Sequence, residues 1–132
     1  MTPHLFVYGT LMPGIECPMG TMERNKLRSA GDFLGAAHTH GTLLNLGAYP
    51  GMIEAAGTVH GGLYRLHDPA STLAWLDAYE GLTGNANDEY VRREVKANLA
   101  NGETRDAWTY VFIGSSLGLC KISTGRWQTP PA

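Results

Sequence analysis

FVYGTLMPG, residues 6–14, predicts a buried strand that ends in a tight loop. The strand is predicted over 5–8, because this run is apolar and aromatic and stops at Gly9-Thr10. Gly9 lets the backbone approach a ligand closely, and successive N–H groups of such a loop can hold an anion, with the Thr10 hydroxyl as a further donor. A simple turn out of a buried strand is the alternative, and one glycine does not decide between the two. The loop is not a phosphate-binding P-loop, since the glycine spacing and the lysine of that motif are absent.

Downstream of this loop, short apolar runs and turn signals predict roughly six strands in all, with one or two helices. We expect a helix over about 18–30, a strand over 33–46 that bends at Gly41, a turn at 47–51, and strands over 52–54, 58–66, 90–99, 104–113 and part of 120–127. Asn101-Gly102 predicts a hairpin turn between two of these strands. Because strands and helices do not alternate regularly, we expect a small mixed barrel or strongly curled sheet rather than a doubly wound parallel sheet.

The composition is that of a globular protein, and it argues against several functional classes. The chain has 132 residues, which suits one domain over 1–132 with a flexible tail at 128–132. A hydrophobic content of 43% with 17% charged residues argues against disorder. A net charge of −2 without a basic stripe argues against nucleic-acid binding, and no apolar stretch approaches the ~20 residues of a membrane span. Two distant cysteines and no secretory signal predict a cytoplasmic protein with reduced thiols.

The clearest predicted helix follows Asp68, which is suited to the N-cap. Pro69 fits the first helical position and Gly81 fits the position just beyond the end. The apolar residues between them include Leu73 and Leu76, which lie on one helix face.

Glu80 is the residue on this helix that points to chemistry. It lies four residues after Leu76 and seven after Leu73, so it shares their apolar face. A carboxylate there is costly to ionise, because burial and the negative end of the helix both raise its pKa toward the range useful for proton transfer. The alternative is a frayed helix end that turns Glu80 outward as an ordinary solvated residue. Asp77 lies off this stripe and is predicted to be solvated.

Taken together, the motifs resemble the gamma-glutamylcyclotransferase-like superfamily over nearly the whole chain. FVYGTLMPG is similar to the opening of that family, and GAYPG, LDAYEG, DEYVRREV and WTYVF follow at residues 47–51, 76–81, 88–95 and 108–112 in the family's order. The YGTL spelling is closest to the gamma-glutamylamine cyclotransferase branch.

The resemblance implies an α+β fold, a mixed six-stranded β-barrel with flanking helices and a pocket at one end. It implies that Glu80 is the catalytic carboxylate, and that no metal or organic cofactor is required. In the family reaction the α-amine of a small-molecule gamma-glutamyl substrate attacks the γ-carbonyl, which gives 5-oxoproline and releases an amine or amino acid. The residues expected to bind the substrate are Tyr8, Gly9, Thr10, Leu11, Tyr49 and Tyr110. A non-catalytic module that binds a carboxylated metabolite on the same fold is the competing hypothesis.

Two parts of the chain depart from the family pattern. Residues 12–32 match nothing that we can name and could shape the choice of substrate, and Arg126 stands where many relatives carry an acidic residue. The oligomeric state cannot be read from the sequence.

Other reactive side chains carry weaker signals. His38 and His40 would share a strand face, with His60 as a third ligand, but no cysteine or carboxylate completes a metal site at recognisable spacing. Cys17 would need a positioned histidine to act as a nucleophile. The strand after the helix places Tyr90 and Arg92 on one face and Arg93 on the other, where they either edge the pocket or remain solvated. Tyr110 is either simple core or a residue whose hydroxyl reaches a ligand, and Trp108 and Trp127 are predicted to pack.

Overall fold

The computed structural model describes residues 2–13, 20–47, 49–84 and 88–127. The elements of these ranges are β1 His4–Val7, α1 Thr21–Ala30, β2 Gly31–Asn45, β3 Pro50–Leu66, α2 Pro69–Tyr79, β4 Tyr90–Leu99, β5 Thr104–Phe112 and β6 Cys120–Lys121. The predicted tail at 128–132 lies outside them. Neither described helix is both long and apolar enough to cross a membrane.

Five of the strands close into a barrel. β3 pairs antiparallel with β1 and β2, β2 pairs with β4, and β4 pairs with β5. The ring closes where β5 runs parallel to β1, with Trp108 opposite Leu5. β6 extends the sheet beyond β2, opposite Leu44 and Asn45. The predicted mixed six-stranded barrel is therefore confirmed, with five strands in the ring and the sixth at its edge.

Strand alternation divides the core into two layers. Phe6 and Tyr8 belong to a buried cluster made of sheet and loop residues, together with Leu43, Met52, Val59, Leu63 and Val111, and this cluster fills the barrel. Leu5 and Val7 point the other way and pack with Leu27 of α1 and with Leu73 and Leu76 of α2. The two helices therefore cover the outer face of the strand that leads into the YGTL loop, Tyr8–Leu11.

The long strand β3 is where the sequence prediction fails. We expected a turn over 47–51 and separate strands over 52–54 and 58–66. A turn does precede β3, where the Leu46 N–H donates to the Tyr49 carbonyl, but the strand then runs unbroken from Pro50 to Leu66. The pairing of β2 with β3 explains why the sequence indicates two separate strands. His40 pairs with Thr58 whereas Thr42 pairs with Ile53, so the register shifts between these two pairs. Gly41 of β2 thus faces the four exposed residues 54–57, which bulge outward. The bend predicted at Gly41 is confirmed, and the apparent gap between the two strands is this bulge.

Helix α2 begins and ends as its sequence predicts. The Asp68 carboxylate accepts a hydrogen bond from the Ser71 N–H, and Pro69 occupies the first turn. Gly81 has φ of 77°, and the N–H groups of Gly81 and Leu82 donate to the carbonyls of Ala78 and Asp77. This is a Schellman ending, which stops the helix immediately after Glu80 and fixes the direction of the chain there.

Candidate active site

A cavity of about 600 Å³ opens beside the YGTL loop and the C-terminal end of α2. It lies in the size range of small-molecule sites. The predicted site residues meet there although they are far apart in the sequence. Those that line the cavity are Tyr8, Gly9, Thr10, Leu11, Tyr49, Glu80 and Tyr110.

Glu80 is half-buried at the wall of this cavity. Within the described residues its carboxylate makes no hydrogen bond and no ion pair, although its backbone N–H donates to Leu76 at 2.9 Å. Burial raises the pKa of Glu80 from the ordinary 4.5 to about 7. A desolvated carboxylate without a partner lowers the stability of the folded protein, and such groups are concentrated at functional sites. The sequence left two alternatives open for Glu80, and in the structure its side chain lines the cavity rather than turning outward into solvent.

Five tyrosines surround Glu80, and the structure commits all of their hydroxyls to protein partners. Tyr8 donates to the Tyr110 carbonyl and accepts from the Met52 N–H, and Tyr90 donates to the Pro50 carbonyl at 2.8 Å. The remaining pairs are Tyr110 with Asp77, Tyr79 with Thr10 and Tyr49 with Glu89. Burial raises the pKa of each of these tyrosines, and the nearby Glu80 carboxylate adds to the rise. The tyrosines therefore shape the cavity as neutral rings.

The YGTL loop contributes backbone donors to the same cavity. The N–H groups of Gly9, Thr10 and Leu11 have no acceptor within the described part of the chain. Gly9 is required by packing, because a Cβ there would lie 2.9 Å from Cγ of Pro50. Consecutive unpaired N–H groups form the kind of concavity that binds an anion.

The loop is held from two sides. The Thr10 hydroxyl lies 2.9 Å from the Tyr79 hydroxyl, which ties the loop to the last turn of α2 next to Glu80. The Thr10 carbonyl accepts a hydrogen bond of 2.6 Å from Nη1 of the buried Arg24, on α1. These contacts fix the position of the loop relative to the carboxylate.

The charges around the cavity are acidic. Glu80, Asp88 and Glu89 line it, and none of the described lining residues is basic. Asp88 accepts hydrogen bonds from the Thr83 and Gly84 N–H groups and from the Thr83 hydroxyl, so it orders the segment that follows α2. An anionic group in this cavity would therefore rely on backbone N–H donors.

Asp77 forms a small network behind the cavity wall. Its Oδ1 accepts a hydrogen bond of 2.6 Å from the Tyr110 hydroxyl and lies 3.6 Å from Nη1 of Arg92. Arg92 in turn stacks over the ring of Trp108, with 5.0 Å from Cζ to the centroid. The prediction that Asp77 is solvated is wrong, because this network draws it toward the barrel.

The family model described as "Gamma-glutamyl cyclotransferase, AIG2-like" matches residues 5–129. The chain belongs to this family. The match covers the YGTL loop, Glu80 and every strand except the first residue of β1.

Named relatives of this family are similar to the chain over different lengths. The gamma-glutamylcyclotransferase family protein YtfP of Citrobacter rodentium is 38% identical over 85 residues, which span 64% of this chain and 65% of that protein. The corresponding protein of Escherichia coli K12 is also 38% identical over 85 residues, or 66% of its length. A Vibrio cholerae protein named as a candidate gamma-glutamylcyclotransferase is 31% identical over 125 residues, 93% of each chain.

Two solved structures share the fold of this chain. The solution structure of Escherichia coli YtfP has a TM-score of 0.65 at 31% identity and covers 94% of this chain and 95% of that one. The crystal structure of YkqA from Bacillus subtilis has a TM-score of 0.69 at 24% identity, and this chain spans 40% of it. The second likeness supports the barrel alone.

Several other sequence candidates lie away from the cavity or outside the described residues. His38 and His60 are opposite each other on β2 and β3, with 6.0 Å between ring centroids, whereas His40 pairs with Thr58. Within the described residues no three histidine, cysteine or acidic side chains cluster as metal ligands. Arg126 borders a smaller hollow beside the two histidines and does not line the cavity. Cys17 lies outside the described residues.

The basic pair on β4 separates as alternation predicts. Arg92 faces Asp77, while Arg93 is exposed and lies 3.3 Å from Glu54. Tyr90 lines the cavity. Trp108 and Trp127 pack against the two core clusters, as predicted.

Three residues that hold the site together have roles that the sequence did not predict: Tyr79, Asp77 and Arg24. Tyr79 directly precedes Glu80, and its position in the helix indicated only an apolar packing residue. Arg24 did carry a signal, because it lies three residues before the buried Leu27 and so shares its helix face. An arginine on a buried helix face needs hydrogen-bond partners, and the Thr10 carbonyl of the YGTL loop is one of them here.

Proposed function

We propose that this family member is a gamma-glutamylcyclotransferase that uses Glu80 to move a proton within its substrate. One observation carries the proposal: the Glu80 carboxylate, whose burial raises its pKa to about 7, lines the same cavity as a loop in which three N–H groups have no acceptor among the described residues. The carboxylate supplies a base and acid near neutral pH, and the loop supplies donors for an anion.

The proposed substrate is a small gamma-glutamyl compound. Its α-carboxylate would accept hydrogen bonds from the N–H groups of residues 9–11, because no basic side chain lines the described cavity. Its α-ammonium would lie toward Glu80, where opposite charges attract. The tyrosine rings would hold the chain folded back, with the nitrogen close to the γ-carbonyl carbon. Such positioning can supply much of the rate of an intramolecular reaction.

The reaction is a balanced exchange of one amide bond for another. Glu80 takes a proton from the α-ammonium, and the neutral nitrogen attacks the γ-carbonyl carbon. Glu80 returns this proton to the leaving nitrogen as the bond from that nitrogen to the carbon breaks. The ring nitrogen still has one proton to lose after its attack, and Glu80 takes this second proton and passes it to the released amine, which leaves protonated. The products are 5-oxoproline and the free amine, and no electron or water is consumed. We therefore propose that the enzyme needs no metal or organic cofactor.

Incubation with a panel of gamma-glutamyl amines and dipeptides tests the proposal. We expect 5-oxoproline and the released amine in equal amounts. Tight binding of these compounds without 5-oxoproline would instead favour the non-catalytic binding module, and the absence of both binding and product would contradict both hypotheses.

A cytoplasmic location also remains part of the proposal, and cell fractionation tests it.

Selectivity should be strict for the gamma-glutamyl half of the substrate and loose for the amine that is released. We expect an α-N-acylated substrate to be inert, because its nitrogen cannot attack. Amines that differ by one methylene should change kcat/KM by about tenfold or less, because a rim with few fixed partners should reach only the lower end of the ~1–3 kcal/mol that a methylene is worth in a tight pocket. Steady-state kinetics with acylated and free substrates and a homologous series of amines measures both. Turnover of an acylated substrate, or hundredfold discrimination between adjacent homologues, would contradict this prediction.

A further inference from the structure

Arg24 is a buried cation that contacts the YGTL loop from behind. It lies on α1, is 9% exposed and does not line the cavity. Its Nη1 donates to the Thr10 carbonyl at 2.6 Å, and its Nη2 lies 3.4 Å from the Thr21 hydroxyl of the same helix. The shorter of these two contacts is with a backbone oxygen of the loop.

This contact fixes the orientation of one peptide unit. The described peptide bonds are all trans. In a trans peptide the C=O and N–H bonds point in opposite directions. Because the Thr10 carbonyl points toward Arg24, the N–H of Leu11 points away from it. Leu11 and Thr10 line the cavity and Arg24 does not, so the far side of this peptide is the cavity side.

The same contact makes the Leu11 N–H a stronger hydrogen-bond donor. A hydrogen bond from a guanidinium polarises the peptide and makes its N–H a better donor, since linked hydrogen bonds reinforce one another. A strong donor favours anion binding in this cavity, where the acidic residues Glu80, Asp88 and Glu89 would otherwise oppose it.

We propose that Arg24 is a positioning residue that turns the Leu11 N–H toward the α-carboxylate of the substrate and so sets the demand for that carboxylate. The inference rests on the proposed function of the cavity. Arg24 acts through the Thr10–Leu11 peptide and touches no reacting atom. The Tyr79 hydroxyl holds the Thr10 side chain, so the loop is fixed through both its backbone and its side chain.

The test compares two ligands in four proteins. γ-Glutamyl butylamide and its α-carboxamide analogue are titrated calorimetrically into Glu80→Gln, a background chosen to prevent turnover, alone and combined with Arg24→Met, Arg24→Lys or Lys26→Met. Lys26 is the matched control, because it is a cation on the same helix that stacks over Trp75. The ratio of the two dissociation constants measures the preference for the carboxylate.

We expect Arg24→Met to lower this ratio by about tenfold, the order of one hydrogen bond to a charged group. Arg24→Lys should recover part of the preference, and Lys26→Met should keep the starting ratio. Thermal unfolding checks that each protein is folded. If Arg24→Met does not fold, Arg24→Gln takes its place, since it is uncharged and should also lower the ratio.

An unchanged ratio in the uncharged variant, or an equal fall in Lys26→Met, would overturn the inference. Formation of 5-oxoproline by the wild-type protein is measured separately. If 5-oxoproline forms but the ratio of dissociation constants does not change, only the role of Arg24 is overturned. If the ratio changes but no 5-oxoproline forms, the proposed reaction is overturned and the role of Arg24 stands. Absence of binding by γ-glutamyl butylamide overturns both.

Discussion

Glu80 is a carboxylate without a described partner, and its ionisation determines how the proposed reaction responds to pH. The protonated acid cannot accept the ammonium proton. Because burial raises the pKa of Glu80 to about 7, kcat/KM should fall as the pH drops below about 7. The measurement is a pH profile of kcat/KM from pH 5 to 9. A rate that stays level down to pH 5 would contradict a role for Glu80 as the base.

The same shift predicts a pH-dependent cost in stability. Between pH 4.5 and about 7 the folded protein binds more protons at Glu80 than the unfolded chain does, so this residue lowers the free energy of unfolding as pH rises through that window. The full cost, reached above pH 7, is about 3 kcal/mol. Glu80→Gln should therefore gain stability over the wild type between pH 5 and pH 8, measured by urea unfolding at both values. An equal difference at the two values would contradict the raised pKa.

Helix α2 delivers Glu80 to the cavity, and its last turns are anchored to the barrel through Asp77. Asp77 and Tyr110 share one hydrogen bond of 2.6 Å, so removing either partner removes the same interaction. Asp77→Ala, which removes the acceptor, and Tyr110→Phe should each destabilise the protein, and the double variant should be less destabilised than the sum by about 1–2 kcal/mol. A double-mutant cycle of unfolding free energies measures the coupling. Strict additivity would show that the bond does not anchor the helix.

Sequence patterns predicted α2 well because its signals are local. Asp68, Pro69 and Gly81 act within a few residues of themselves, and the face with Leu73, Leu76 and Glu80 follows from helical periodicity. The strand β3 was less predictable, because whether the bulge at 54–57 interrupts it depends on its partner β2. The role of Asp77 was missed for the same reason, since its partners Tyr110 and Arg92 lie on other strands.

At the scale of the whole molecule, barrel closure brings the site together. The pairing of β1 with both β3 and β5 places the YGTL loop beside Pro50 and Tyr110. The family resemblance predicted that this loop and Glu80 meet at one pocket, and they line the same cavity. The contact of Arg24 with the Thr10 carbonyl could not be predicted, because residues 12–32 match no motif that we can name and the contact depends on how α1 packs.

The central claim is that Glu80 transfers the proton in a cyclisation that releases 5-oxoproline. The most direct measurement compares 5-oxoproline formation from one gamma-glutamyl amine by the wild type, Glu80→Gln and Glu94→Gln, with binding of the same compound measured in parallel. Glu94 is an exposed glutamate on β4 that does not line the cavity, so its variant is the matched control. We predict that Glu80→Gln binds the compound but forms 5-oxoproline about 10²–10⁴-fold more slowly, while Glu94→Gln matches the wild type. Near wild-type turnover by a folded Glu80→Gln would contradict the claim.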